Sequence, residues 1–201
     1  MNLIVAQLES PIGEVRAAST EAGICAVDFA DRWPIVEHRL EVRFGKITSR
    51  EQGDPFRLTP RLKRYFDGAA ETFEGLALDP GGTDFQRSVW SALREIHRGE
   101  TWNYSQLAAH VGNPKAVRAV GSSNARNPIA IIVPCHRVIG KAGELRGYAG
   151  GLERKRWLLD LELNSRRDPP YSNRGIGRSL NIGLSSEESH DSHQGQSTGA
   201  K

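Results

Sequence analysis

The chain has 201 residues, of which 38% are hydrophobic and 25% charged, with a formal net charge of +3. This length and apolar content allow one ordinary domain or two small ones with a real core. The sequence shows no N-terminal signal segment and no apolar run of membrane-spanning length, so we expect an intracellular protein without membrane contact. The two cysteines exclude a disulfide scaffold, and without a CxxC pair we expect no zinc site. The small positive charge permits nucleic-acid binding without indicating it.

Residues 1–80 contain short apolar runs separated by turn residues, at positions 3–8, 15–18 and 24–29. This pattern predicts a small antiparallel sheet. A helix is predicted over Leu58–Phe66, with Leu62 and Tyr65 on its apolar stripe and Gly68 as its stop. Because no group of catalytic residue types occurs here, we interpret residues 1–80 as a supporting domain.

Residues 81–164 begin with a capping box, in which Thr83 caps a helix and Gln86 reaches back to it. Apolar residues then recur at helical spacing, which predicts a helix packed on the core. Those residues are Phe85, Val89, Trp90, Leu93 and Ile96.

Two short helices follow, one from Asn103 to Gly112 and one that begins at Asn113-Pro114 and runs through Gly121. Their order and spacing make a helix-turn-helix candidate. The second helix is rich in small residues, which allow a close approach to a DNA groove, and Arg118 and Arg126 supply charge for phosphates. Tight helix–helix packing is the alternative explanation. The small residues are Ala116, Ala119, Gly121, Ser122, Ser123 and Ala125.

The segment Pro134-Cys135-His136-Arg137 follows a β-branched run, residues 129–133, that predicts a buried strand. A thiol beside an imidazole and a guanidinium is suited to nucleophilic chemistry, because cationic or proton-accepting neighbours favour the thiolate. A small, inert buried cysteine is the alternative. The glycine-rich stretch 147–151 then suits either a loop over a bound planar group or a plain turn.

A closing helix is predicted over residues 152–163, and Glu162 shares a face of it with Leu158 and Leu159. If this carboxylate is buried it needs a partner, such as His136 or an arginine; otherwise it is an exposed helical glutamate. Residues 165–201 are rich in Ser, Gly, Asn and Gln. They cannot bury enough apolar surface to offset their ordering entropy, so we predict a disordered tail.

The stretch from Pro134 to Gly140 resembles the active-site signature of the O6-alkylguanine-DNA alkyltransferases, also called methylated-DNA–protein-cysteine methyltransferases. The resemblance covers nearly all of residues 81–163, is looser over residues 1–80 and is absent from the tail. It implies an α/β fold with a small N-terminal β-sheet domain carrying a helix, followed by a mainly helical C-terminal domain. That second domain would contain the helix-turn-helix and the reactive cysteine. Further matching segments, in order, are residues 85–90, 104–108, 113–121, 127–128, 147–152 and 155–159 with Glu162.

The resemblance implies a catalytic role for each of five residues. Cys135 would be the alkyl acceptor, with its thiol proton passing to His136 through a water. Glu162 would orient and charge that imidazole. Tyr104 would donate a proton to the departing guanine, and Asn127 would tie the active-site turn together.

The resemblance also implies how damaged DNA is bound. Arg118 would enter the duplex where a flipped nucleotide had stood, and the small-residue helix would lie in the minor groove. Residues Ala116, Ala119, Ser122, Ser123 and Arg126 would complete that surface. The base pocket would be lined by Tyr148, Ala149, Trp90 and Val138. The departures from the family pattern at Arg146 and at His97-Arg98 bear on the substrate range.

The implied function is stoichiometric DNA repair, in which an alkyl group passes from O6-alkylguanine, and from O4-alkylthymine, to Cys135. The partner would be double-stranded DNA carrying alkylated bases. No cofactor, no metal and a monomeric state are expected, with a cytoplasmic location, or a nuclear one in a eukaryote. The main alternative is a non-enzymatic module that binds alkylated DNA. A helix-turn-helix regulator and a Cys-His hydrolase are further alternatives.

Overall fold

A computed structural model describes residues 1–47 and 49–164 of the chain. The first half contains a four-stranded sheet with the strand order β3-β2-β1-β4. Strands β1, β2 and β3 pair antiparallel, as predicted, but β4 pairs parallel with β1. The sequence pattern predicts the antiparallel pairing of the first three strands but not β4, which pairs parallel because helix α1 carries the chain across. The elements are β1 (Asn2–Leu8), β2 (Val15–Thr20), β3 (Gly23–Phe29), α1 (Trp33–Phe44), β4 (Ser49–Gln52) and α2 (Leu58–Phe66).

The sheet buries side chains on both of its faces, and β3 pairs with β2 through a register shift between Ala18 and Ser19, opposite Cys25. In β3, Cys25 points towards α1, where it packs in a small cluster with Trp33, Val36 and Leu40. Ile24 and Val27 of the same strand belong to the larger core that the sheet shares with α2 and with the second half of the chain. The first half is therefore joined to the second through a continuous apolar core.

The second half is mainly helical. Its two short strands, β5 and β6, pair parallel with each other. The division into a small sheet region followed by a helical region confirms the expected α/β fold class. The elements are α3 (Asp84–Glu95), β5 (Trp102–Asn103), α4 (Tyr104–His110), α5 (Val117–Ala125), β6 (Val138–Ile139) and α6 (Leu152–Asn164).

Helices α3 and α4 begin directly after their capping residues, whereas α5 begins later than the sequence predicts. Thr83 and Gln86 form the predicted capping box of α3. Asn103 caps α4 in the same way, and Gly112 follows its end with φ 76°. Helix α5 begins at Val117 rather than at Asn113-Pro114, because those two residues form a turn, closed by a 2.9 Å bond from the Ala116 N–H to the Asn113 carbonyl.

The predicted strand before the cysteine is wrong. Ile129 alone forms an isolated bridge, with Val27 of β3. The chain then turns back on itself, and Ile131 adopts φ 72°, which is rare for a β-branched residue. An apolar run is compatible with any buried backbone, and here no second strand lies beside its remaining residues. Cys135 therefore follows a strained buried turn.

No helix among the described residues has the length and apolar character needed to cross a bilayer. The predicted tail, residues 165–201, lies outside the described part of the chain.

Candidate active site

Cys135 begins one turn of 3₁₀ helix, Cys135–Arg137, and is only 6% exposed. Its Sγ accepts a 3.1 Å hydrogen bond from Nδ2 of Asn127. The same amide group donates to the Val133 carbonyl at 2.8 Å, and its Oδ1 accepts the N–H of Ile129 at 3.0 Å. Asn127 thus closes the buried turn and also presents a hydrogen-bond donor to the thiol sulfur.

His136 is fully buried, and its Nε2 lies 3.0 Å from Oε1 of Glu162. Because Nε2 faces a carboxylate, we assign the ring proton to Nε2, which leaves Nδ1 as the proton acceptor. Nδ1 has no hydrogen-bond partner among the described residues. The imidazole therefore has one nitrogen held by a carboxylate and the other free to take a proton.

Glu162 is fully buried and ionised. Arg137 donates a hydrogen bond to each carboxylate oxygen, with Nε 2.9 Å from Oε2 and Nη2 2.8 Å from Oε1. Burial raises the pKa of the Glu162 carboxyl, but His136 and Arg137 outweigh that effect and hold the pKa well below its ordinary value. Burial also lowers the pKa of His136, and the opposing pull of Glu162 does not restore it. The pair is thus a charged carboxylate beside a neutral imidazole.

The thiol of Cys135 is protonated at rest, because burial raises its pKa to about 11. The Asn127 hydrogen bond and the charge of Lys155 oppose this rise without cancelling it. Glu162 raises the pKa of His136, as expected, but desolvation lowers that pKa by more, so the imidazole is neutral in the resting protein. Glu162 is placed to stabilise an imidazolium that forms when the thiol loses its proton.

Lys155 is a further site residue, which the sequence motifs do not mark, and it is fully buried. Its Nζ donates to the Val138 carbonyl at 2.5 Å and to the Arg146 carbonyl. Burial lowers the pKa of Lys155 to about 8, and Cys135 opposes that change. The missed signal was helical spacing, because positions 155, 158 and 162 share one face of α6.

Arg137, Asn124 and Tyr65 were also missed as site residues. Arg137 belongs to the segment 134–137, but its contact with Glu162 depends on how α6 packs. Asn124 is buried, with Nδ2 3.5 Å from the Cys135 carbonyl and with Oδ1 unpartnered among the described residues. Tyr65 reaches Glu162 from the first half of the chain, a contact that no local sequence signal reveals.

The glycine-rich loop lies beside Cys135. The Tyr104 hydroxyl is 3.5 Å from the Arg146 carbonyl, and burial raises its pKa, so it keeps its proton. Gly147 has φ 57°, and a Cβ there would lie 2.6 Å from the Tyr104 hydroxyl, so a larger residue would strain the backbone and displace Tyr104. Tyr148 is buried edge-on to His136, and its hydroxyl has no partner within the described chain. Ala149 is exposed.

Two residues expected at functional surfaces are buried. Trp90 lines a cavity of about 440 Å³ between α1 and α3 that does not include Cys135. Its Nε1 donates to the Ser123 carbonyl at 2.9 Å. Ser123 is 4% exposed, so its side chain is not on the outer face of α5. This hydrogen bond joins α3 to α5, and both residues are buried, so their expected roles at the base pocket and the DNA surface stay predictions. Val138 is buried, and its carbonyl accepts Lys155.

The outer face of α5 carries the other residues expected to bind DNA. Arg118, Ala119, Ser122 and Arg126 are exposed, and Ala116 is half-buried. Arg126 donates to Ser122 Oγ at 2.9 Å. The pattern gives a shallow surface of small residues with an arginine towards each end.

Two family models match the chain, and together they span almost all of the described residues. One, described as the DNA binding domain of 6-O-methylguanine DNA methyltransferase, matches residues 84–164. The other, described as the ribonuclease-like domain of 6-O-methylguanine DNA methyltransferase, matches residues 3–80.

Curated relatives and solved structures agree with these matches. A methylated-DNA–protein-cysteine methyltransferase of Methanosarcina barkeri is 48% identical over 161 residues, covering 80% of this chain and 97% of that protein. A protein of the same name from Salmonella typhimurium is 41% identical over 172 residues, covering 81% and 96%. The crystal structure of Mycobacterium tuberculosis O6-methylguanine methyltransferase is similar with a TM-score of 0.70 and 39% identity, covering 83% and 95%. The Mycobacterium tuberculosis protein in complex with DNA gives 0.67 and 38%, covering 81% and 94%.

Proposed function

Because the chain belongs to the methylated-DNA–protein-cysteine methyltransferase family, we propose that Cys135 is the cysteine that accepts the alkyl group. The protein repairs DNA by moving an alkyl group from the damaged strand to a cysteine of its own, and it is consumed in doing so. One observation carries the assignment to Cys135: its sulfur accepts a hydrogen bond from Asn127, and the residue that follows it, His136, is paired with Glu162. This alkyl transfer requires a thiol of its own, which a non-enzymatic binding module does not.

The reaction proceeds by displacement at the alkyl carbon. Nδ1 of His136 accepts the thiol proton through a bridging water, and Glu162 stabilises the imidazolium. The sulfur of Cys135 attacks the carbon attached to the damaged base oxygen, so the S–C bond forms as the C–O bond breaks. The electron pair stays on the base, which takes a proton from Tyr104, and the tyrosinate regains a proton from the His136 imidazolium. In sum, the alkyl group moves to sulfur and the thiol proton replaces it on the base.

The substrate is double-stranded DNA carrying O6-alkylguanine or O4-alkylthymine. A stacked base cannot reach a buried thiol, so the nucleotide must flip out at a cost of a few kcal/mol. The exposed face of α5 suits the minor groove, with Arg118 filling the gap in the stack and Arg126 near the backbone. Tyr148, Ala149 and the backbone of Val138 surround the flipped base.

Further parts of the proposal concern organisation and location. Residues 1–80 form a supporting domain, residues 81–164 form the DNA-binding and acceptor domain, and residues 165–201 form a tail that the chemistry does not need. The protein acts as a monomer. Because its substrate is genomic DNA, it acts in the cytoplasm of a cell without a nucleus, or in the nucleus of a eukaryote.

Comparing the rate of transfer from duplex DNA with the rate from the free modified base distinguishes the alkyl-transfer step from DNA binding and nucleotide flipping. We expect Arg118→Ala to slow transfer from a methylated duplex about 10- to 100-fold, since flipping costs a few kcal/mol and each 1.4 kcal/mol is tenfold. Reaction with free O6-methylguanine needs no flipping and should be unchanged.

Arg94→Ala serves as the matched control, because it removes the same charge from an exposed site on α3. Equal losses on both substrates would mean that Arg118 supports the pocket or the fold. The proposed function predicts that labelled methyl appears on the protein, one per molecule at saturation. Labelled methyl that leaves the duplex without appearing on the protein would overturn it.

A further inference from the structure

Tyr65 places a phenol from the first half of the chain against the reactive centre of the second half. It lies in α2, is fully buried, and its hydroxyl donates a 2.7 Å hydrogen bond to Oε1 of Glu162, 97 positions away. The proposed mechanism gives this residue no role.

The phenol shares its acceptor with the imidazole. Oε1 accepts from the Tyr65 hydroxyl, from Nε2 of His136 at 3.0 Å and from Nη2 of Arg137 at 2.8 Å. Oε2 accepts from Nε of Arg137 and, at 3.4 Å, from the N–H of Gly99. A carboxylate offers about four lone-pair sites, so the oxygen that serves His136 is fully engaged.

The ring of Tyr65 needs no hydroxyl for its packing. It lies against Phe66 and Phe73 with ring centroids 5.6 and 5.5 Å apart, and the guanidinium of Arg98 lies 4.9 Å from its centroid. A phenylalanine would fill the same space. Burying a hydroxyl is costly unless it is hydrogen-bonded, and here its bond goes to the carboxylate of the site.

The geometry points to Tyr65 as a positioning residue that restrains the site: its hydroxyl fixes Oε1 of Glu162 and weakens the hold of that oxygen on His136, so that less of the reactive thiolate–imidazolium pair forms at rest. This inference rests on the proposed function, in which Cys135 is used once and then lost. A thiolate maintained at rest would be open to oxidation and to alkylation by stray electrophiles. The first half of the chain would thus set how readily Cys135 reacts.

The electrostatic argument has a definite sign. A donor to the carboxylate draws charge from Oε1, so the carboxylate stabilises an imidazolium less. Burial raises the pKa of Tyr65 well above its ordinary value, so the phenol remains a donor across the working pH range. The other charged or titratable groups around this pair are Arg137 and Cys135 on the 3₁₀ turn, Lys155 on α6, Tyr148 on the loop and Arg98 after α3.

Tyr65→Phe tests the inference through the pH dependence of Cys135 alkylation by iodoacetamide, with each cysteine followed by peptide mass mapping. Without the hydroxyl the pKa of His136 should rise by about 0.5 to 1 unit. At a pH between the pKa values of His136 and Cys135, each unit by which the His136 pKa rises increases the fraction of protein in the thiolate–imidazolium form tenfold. We therefore expect the alkylation rate on the pH-independent plateau to be about 3- to 10-fold higher than in wild type. The fall in rate on the acid side of the plateau should begin at a higher pH. Well below that pH the two rates should be equal.

A residue with a merely structural role would not produce a faster reaction. Phe66→Leu is the matched control, because it disturbs the same helix and the ring contact with Tyr65 but removes no hydrogen bond. It should lower the melting temperature and leave the pH profile in place. NMR titration of the His136 ring nitrogens should report the higher pKa directly in Tyr65→Phe.

A second variant keeps the test decisive if Tyr65→Phe does not fold. A 3-fluorotyrosine placed at position 65 alone is a stronger hydrogen-bond donor. It should therefore lower the plateau rate of Cys135 alkylation and move the acid-side fall in rate to lower pH. Superimposable profiles, or a Tyr65→Phe protein that is slower at every pH, would overturn the inference. Alkylation by iodoacetamide needs no DNA, so these pH profiles test the role of Tyr65 independently of DNA repair. If wild-type Cys135 took no methyl group from a methylated duplex, that result would overturn only the proposed function.

Discussion

Cys25 and Cys135 are both buried, and burial raises the pKa of each thiol to about 11, yet their surroundings differ in kind. Cys25 donates its thiol proton to the Ala18 carbonyl at 3.2 Å, in a strand packed against α1. Cys135 instead accepts a hydrogen bond from Asn127, and it directly precedes His136, whose Nδ1 has no partner among the described residues.

The comparison shows that neither burial nor resting acidity distinguishes a nucleophilic thiol from a structural one. A hydrogen bond donated by the thiol stabilises the protonated form, whereas one accepted by the sulfur stabilises the thiolate. What distinguishes Cys135 is that its neighbours are arranged for the charges that appear during reaction: Asn127 and Lys155 face the sulfur, and Glu162 faces the imidazole.

Replacing each cysteine by alanine should give the largest contrast. Cys135→Ala should lose all methyl transfer from duplex DNA, because no other thiol lies beside His136. Cys25→Ala should keep the wild-type rate and cost about 1 kcal/mol of unfolding free energy through lost packing. Radiolabel transfer and thermal melts measure the two effects. Activity that survives in Cys135→Ala would break the comparison.

Glu162→Gln should reduce transfer at neutral pH roughly 100-fold, because a positioned base and its partner contribute on that order. Loss of the carboxylate charge lowers the pKa of His136 further, so less thiolate–imidazolium forms. Reactivity should then recover only as the pH approaches the Cys135 pKa of about 11.

Glu95→Gln is the control for this variant, since Glu95 forms an exposed pair with His110 at 2.9 Å. It should change nothing. A Glu162→Gln profile that matches wild type at every pH, in a protein with unchanged melting, would show that the buried pair does not assist the thiol.

Lys155→Met should slow transfer about 10-fold at pH 7, because it removes a positive charge that favours the thiolate. The effect carries its own pH signature. Lys155 loses its proton as the pH rises through its pKa of about 8, so the ratio of wild-type to variant rate should narrow above that pH.

Arg43→Met is the counterpart, because Arg43 is the positive charge that lowers the pKa of Cys25. It should leave transfer unchanged. A rate ratio for Lys155→Met that stays constant from pH 6 to pH 10 would mean that Lys155 acts through the Val138 and Arg146 carbonyls instead of through its charge.

The smallest effect is expected for the tail. A chain ending at Asn164 should keep its melting temperature and its rate of transfer, because the composition of residues 165–201 cannot support a packed core. Thermal melts and single-turnover rates of the shortened chain provide the check. Unfolding or loss of activity on shortening would place the boundary of the reactive domain beyond residue 164.

Local signals in the sequence were sufficient where neighbouring residues decide the structure. The capping box of Thr83 and Gln86 and the stripe of α2 are complete within a few positions, and both elements appear where they were predicted. The turn before Cys135 was not predictable in this way. Its apolar residues fit a strand equally well, and the outcome depends on Asn127 and on the single bridge to Val27.

The site was predictable to the same extent. His136 was named because it adjoins Cys135, whereas the burial of Glu162 depends on how α6 packs and was left open between a paired and an exposed carboxylate. Lys155 was missed although its helical spacing matches Glu162. Tyr65 could not be found from local patterns, because its partner is 97 positions away and the contact exists only once both halves share a core.

Peptide mass mapping of both cysteines, after incubation of the wild-type protein with a duplex containing one O6-methylguanine, tests the central claim most directly. The account predicts the mass of one methyl group on the Cys135 peptide, none on the Cys25 peptide, and one repaired lesion for each protein molecule. A methyl group on Cys25, or lesions removed with both peptides unmodified, would contradict it.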